Sequence, residues 1–146
     1  MVYRLHFKDW LVIGHYLGAL ILIVAASMLA PFTVALLLGE LDTAIDFLFS
    51  MGVALVIGAG LLLLRVEQGS LDWHQALVIT GLCWIVLSFF GAGPLWLSGH
   101  YSSFLDAYFE TVSCSTTTGI SVTLDLDHMP LSIVMWRSFM NLLGGR

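Results

Sequence analysis

Apolar runs, and the few polar positions that interrupt them, divide this chain into segments. Trp10 to Phe32 is apolar almost throughout, broken only by His15 and small residues. Phe47 to Leu64 and Ala76 to Leu97 carry no charge at all. Each run is long enough to cross a hydrocarbon layer about 30 Å thick, which takes about 20 helical residues. Pro31, the segment Arg65-Val66-Glu67-Gln68-Gly69 and Ser98-Gly99-His100 mark their ends. A fourth run, Pro130 to Gly145, is shorter and carries Arg137. Between the third and fourth runs the pattern changes. Phe104, Ala107, Tyr108 and Val112 share one helical face, with Ser102 or Ser103 placed to cap it. At about 14 residues this helix is roughly 21 Å long, too short to cross. Thr116-Thr117-Thr118-Gly119-Ile120 follows, a β-branched and hydroxylated stretch around one glycine that favours extended backbone. Asp125, Asp127 and His128 return the chain to water, and Met129-Pro130 opens the next apolar helix. A short helix and then a strand, set between two spans, predict a re-entrant loop. Bare backbone at membrane depth is tolerated only where protein buries it or it lines a wet cavity.

Composition agrees with this reading. The 146 residues are 59% hydrophobic and 10% charged, with a mean hydropathy of +0.96. That excludes a water-exposed globule, and the length allows one domain. Five cations against ten acidic residues give a net charge of −5, which leaves no footprint for nucleic acid. Cys83 and Cys114 lie in apolar or membrane-facing stretches without metal-ligand spacing and read as buried thiols. Arg4 and Lys8 precede the first span and Arg65 lies between the second and third, while the first connection carries Glu40 and Asp42. The positive-inside bias then places the N-terminus in the cytoplasm and Ser98 to Ser103 outside. The first run exceeds a signal-peptide core and more spans follow it, so it is expected to stay as a span.

The re-entrant segment is where chemistry is expected. The C-terminal end of the short helix would aim partial negative charge inward. Carbonyls of Thr117, Thr118 and Gly119 would replace the hydration shell of a weakly hydrated monovalent cation. Glycine supplies dihedrals closed to other residues. Arg137, within the last span, needs a partner. Glu110, or failing that Asp106, is the expected one. Asp125, Asp127 and His128 read as an acidic rim that concentrates cations rather than as a metal cage. His15 reads as a satisfied core histidine, and glycines 14, 18, 52, 58 and 60 as close helix packing. No Ser-His-Asp, Cys-His or nucleotide-binding pattern occurs, so no enzymatic chemistry or organic cofactor is expected.

Several elements recur in an order that resembles a known family. Asp106-Ala-Tyr-Phe-Glu110, Ser113, Thr116-Thr-Thr-Gly119, Pro130-Leu-Ser, Trp136-Arg137-Ser138 and Leu143-Gly144-Gly145 resemble the first pore repeat of the Trk/Ktr/HKT potassium transporters, closest to the Trk-type membrane subunit. The resemblance implies an all-α membrane protein. Residues 1–72 would be two N-terminal transmembrane helices, and 73–146 one helix–re-entrant pore loop–helix unit whose last helix is cut short. It further implies potassium as the transported ion, with a filter at Thr116 to Ile120 and carbonyl contacts from Thr117, Thr118, Gly119 and Ile120. Implied surroundings are the lipid of a plasma (inner) membrane, a dimer of full-length subunits and a cytosolic nucleotide-binding regulatory subunit. Cys114 and Ser115 depart from the small or apolar residues usual before the threonines. The remaining three repeats are absent, so they would come from the same or another chain, and the chain reads as the first third of a larger protein. The alternative expectation is a truncated, non-conducting membrane protein that serves as an assembly or regulatory partner.

Overall fold

The structure, a computed structural model, describes residues 7–63, 73–123 and 128–145. Arg4 and Arg65, which carry much of the orientation argument, and Asp125 and Asp127 lie outside the described residues. Within them the chain is helical: α1 Phe7–Ser27, α2 Leu29–Leu38, α3 Leu41–Leu62, α4 Trp73–Leu97, α5 Phe104–Ser115 and α6 Leu131–Gly144. Three stretches, Trp10–Leu38, Leu41–Leu62 and Gln75–Leu97, are long and apolar enough to cross a membrane.

The first stretch passes beyond Pro31 instead of ending there. Proline is the third residue of α2, where its missing N–H falls among donors that lack a helical partner anyway. Met28 keeps helical dihedrals, and its neighbours continue the ladder through Met28 N to Val24 O and Phe32 N to Met28 O. The helix stops instead at Gly39, with φ +76°. There Glu40 N bonds Ala35 O at 2.9 Å and Gly39 N bonds Leu36 O at 3.3 Å, a Schellman closure. The connection to α3 is therefore short, and α3 begins at Leu41, six residues before the apolar run alone suggests.

α1 packs against α3 and α4, and α5 sits between α4 and α6. Gly18 and Gly58 let α1 and α3 approach closely: a Cβ at Gly18 would lie 2.7 Å from Leu61 Cβ and 2.9 Å from Gly58 O. Gly52 and Gly60 do not share this role, because a Cβ at either would meet open space. His15 is satisfied, its Nδ1 lying 3.2 Å from Leu62 O across the same helix pair. The main core joins Val24, Met28, Phe47, Leu95, Ile133, Trp136 and Met140. Trp136 meets Phe47 edge to face and donates from Nε1 to Gly91 O at 2.9 Å. α2 also reaches α6, so the α1–α3 hairpin and the α4–α6 unit share one core.

Candidate functional site

α5 starts where the sequence implies. Ser103 is the N-cap: its Oγ accepts from Asp106 N at 3.2 Å and donates to Asp106 Oδ2 at 2.9 Å. Such a reciprocal cap also places a carboxylate at the positive end of the helix. It occupies Asp106, so the carboxylate that meets Arg137 is Glu110. The buried side of α5 is not its apolar stripe. Ala107, Glu110, Thr111, Ser113 and Ser115 are buried, while Phe104, Tyr108 and Val112 are half-buried. Polar groups survive there because they are bonded: Thr111 Oγ1 to Ala107 O at 2.8 Å, and Ser115 Oγ to Val112 O and to Ser88 Oγ of α4.

The helix ends in the same closure as α2, with one difference. Thr118 N bonds Ser113 O at 3.0 Å and Thr117 N bonds Cys114 O at 3.1 Å. The left-handed position is filled by Thr117, at φ +56°, and not by a glycine. A second left-handed residue, Gly119, follows at φ +75°. Thr116 and Thr117 thus form a turn where an extended strand is expected from their β-branching, because closing the helix end requires it. A β-branched residue in this region is strained, and such strain persists only where the surroundings hold it. Thr116 Oγ1 bonds Val112 O and Thr118 Oγ1, both at 2.8 Å, and Thr117 Oγ1 donates to Thr116 O.

Beyond Gly119 the chain runs back along α5. Ser121 Oγ donates to Glu110 Oε1 at 2.9 Å, and Val122 N donates to Glu110 Oε2 at 2.9 Å. Thr123 Oγ1 donates to Tyr101 OH at 3.1 Å, beside the start of α5. Burial pushes the Tyr101 phenol above its usual pKa, so it is uncharged at neutral pH. Arg137, the seventh residue of α6, donates from Nη2 to Glu110 Oε1 and to Ser121 Oγ. Residues 116–122 are exposed on their other side, and among the described residues the carbonyls of Thr117, Thr118, Gly119 and Ile120 accept no hydrogen bond. A cavity of about 240 Å³ lies behind this segment, lined in part by Ser113, Cys114, Gly119, Ile120 and Arg137.

Two features of the site escape a reading of local pattern. α6 has Pro130 as its N-cap and no side-chain cap of its own. Its first turn is instead closed by Glu40, whose carboxylate accepts from Leu131 N at 2.9 Å, Ser132 N at 3.3 Å and Ser132 Oγ. The available signal was a helix start without an acceptor and an acidic residue at a helix junction. At the other end of α6, a Cβ on Gly144 would overlap the Ser115 carbonyl, so α5 and α6 finish in direct backbone contact. No group of three or more His, Cys, Asp or Glu that could hold a metal occurs among the described residues.

The chain is similar to known proteins over most of its length. Residues 45–146 match the TrkH family, described as cation transport proteins. The chain is 37% identical over 142 residues to an uncharacterized cation transporter of Methanocaldococcus jannaschii, covering 97% of this chain and 30% of that protein. It is 33% identical over 136 residues to the Trk system potassium uptake protein TrkG of Escherichia coli, covering 92% of this chain and 28% of the relative. With TrkH of the same organism the figures are 32% over 143 residues, 97% and 29%. The chain therefore spans about three tenths of the length of these relatives. It is a multi-pass membrane chain with three apolar helices of spanning length, and it belongs to the TrkH family of cation transport proteins.

Proposed function

We propose that this chain forms one quarter of a potassium-conducting path, with the segment from Thr116 to Ile120 as its contribution to the filter. The observation that carries this reading is the exposed turn at the end of α5. There, among the described residues, the carbonyls of four successive residues, Thr117 to Ile120, accept no hydrogen bond, and they lie beside the negative end of a helix dipole. Neutral carbonyls bind a weakly hydrated cation and still release it, which conduction requires. α5 has 12 residues, roughly 18 Å, and the chain then doubles back; both support a loop that enters the membrane from one side and returns. In this reading residues 1–72 are a two-helix region and 73–146 a helix–pore loop–helix repeat. The N-terminus is cytoplasmic, the membrane is the plasma (inner) membrane and the transported ion is potassium. Further repeats, from the same or another polypeptide, complete the axis. A dimeric full-length assembly and a cytosolic nucleotide-binding regulator belong to the same proposal. The potential supplies about 2.3 kcal/mol per charge per 100 mV.

Complementation of a potassium-uptake-deficient strain tests it, using the chain in the polypeptide context in which it occurs. Growth at low potassium is expected with the natural sequence and is expected to be lost with Gly119→Ser. Growth unaffected by Gly119→Ser would sink the filter assignment. Stable membrane insertion without uptake would favour a non-conducting assembly or regulatory partner.

A further inference from the structure

We infer that Glu110 is the positioning residue for this filter, acting through Val122 and Ser121 rather than by touching the ion. The inference rests on the reading of Thr116 to Ile120 as the ion path. Its grounds are in the contacts of one carboxylate. Glu110 is fully buried, and its two oxygens serve three groups from two different parts of the chain. Oε2 accepts the Val122 N–H at 2.9 Å and the Ser121 hydroxyl at 3.2 Å, while Oε1 accepts from Ser121 and from Arg137. Ser121 Oγ is a hub as well, since it accepts from Arg137 Nη2 at 3.1 Å and from Thr123 N at 3.2 Å. The exposed segment 116–120 is thereby held at both ends. The Schellman closure fixes its start to α5, and the Glu110 carboxylate fixes its far end to the same helix. A left-handed threonine between two fixed ends cannot relax by swinging outward, which explains how Thr117 keeps φ +56°.

Arg137 reaches this network through one nitrogen. Nη2 makes both contacts, while Nε is buried without a partner beside the cavity behind the segment. Its role is that of a point charge, not a two-pronged clamp, so lysine should replace it. A clamp would not tolerate that exchange.

Amide exchange at residues 116–123, read at single-residue level in lipid nanodiscs on the chain in the polypeptide context in which it occurs, tests the brace without any ion flux. Glu110→Gln retains one acceptor oxygen and loses the charge, and Val122 exchange is expected to rise about tenfold or more. Arg137→Lys is expected to stay within about threefold of the natural chain, and Arg137→Gln to follow Glu110→Gln. The amides of α1 and α3 should not change. Unaltered Val122 exchange in Glu110→Gln would overturn the inference, as would a rise spread evenly over all helices. If Glu110→Gln does not insert, the Arg137→Gln and Arg137→Lys pair decides: equal exchange in both refutes the brace. Protected Val122 in a chain that moves no potassium would leave the brace standing and count against the transport reading. Uptake with a freely exchanging Val122 would do the opposite.

Discussion

Thr117 and Gly119 hold the same left-handed backbone two residues apart, and they respond to it differently. Glycine adopts it freely, whereas a residue with a Cβ gives up about 1–2 kcal/mol. A Cβ at Gly119 would meet nothing within 4 Å, so Gly119→Ala tests conformation alone. Thermal unfolding in detergent should show a loss of about 1–2 kcal/mol. Thr117→Gly removes strain but loosens the unfolded chain by about 0.5–1 kcal/mol, so the net change should stay within about 1 kcal/mol. A large loss in Thr117→Gly would mean that the threonine side chain, not the turn, holds the site. The cap was legible as Ser102 or Ser103, and the structure selects Ser103, whose partner Asp106 lies three residues on. Thr117 was not, because the rule that assigns left-handed backbone to glycine is satisfied nearby by Gly119. The pairing of Glu110 with Arg137 was legible because a charge within a span needs a counter-charge, whereas its bonds to Ser121 and Val122 were not, and the three partners together make an interior place tolerable.

Among the elements, the apolar runs located the long helices but misplaced two ends. Pro31 reads as a terminator, yet at the third position of a helix it breaks nothing. α3 starts with Leu41-Asp42-Thr43-Ala44-Ile45-Asp46, whose carboxylates interrupt the run without interrupting the helix. Glycine positions were legible as a class and not one by one, since composition does not say which face meets a neighbour. Gly18→Leu and Gly60→Leu separate the two cases. The first drives a side chain into the backbone of Gly58 and Leu62, and should cost about 1–3 kcal/mol and weaken α1–α3 packing. The second faces open space and should be neutral or gain up to about 1 kcal/mol from helix propensity. Equal thermal stability of the two variants would refute the assigned contact.

On the scale of the molecule, Glu40 couples regions that the sequence divides. Its carboxylate completes the first turn of α6, 91 residues away from Leu131. No local pattern reaches that far, which is why α2 and α6 read as parts of separate regions although they share a core. Glu40→Ala should cost about 1–3 kcal/mol, with faster amide exchange confined at first to Leu131 and Ser132. Unchanged protection of those two amides would show that α6 closes its own end. The family membership and the spanning helices follow from short-range patterns and apolar length, whereas the brace and this long-range cap exist only once the helices are packed.

The same contact bears on the order in which the chain is made. During synthesis Glu40 emerges long before Leu131, and domains tend to settle from the N-terminal side. The acceptor for α6 is then already made when α6 arrives, so the last helix need not supply its own cap. A ribosome paused after α4 would therefore hold a nascent chain that already carries the acceptor for the first turn of α6.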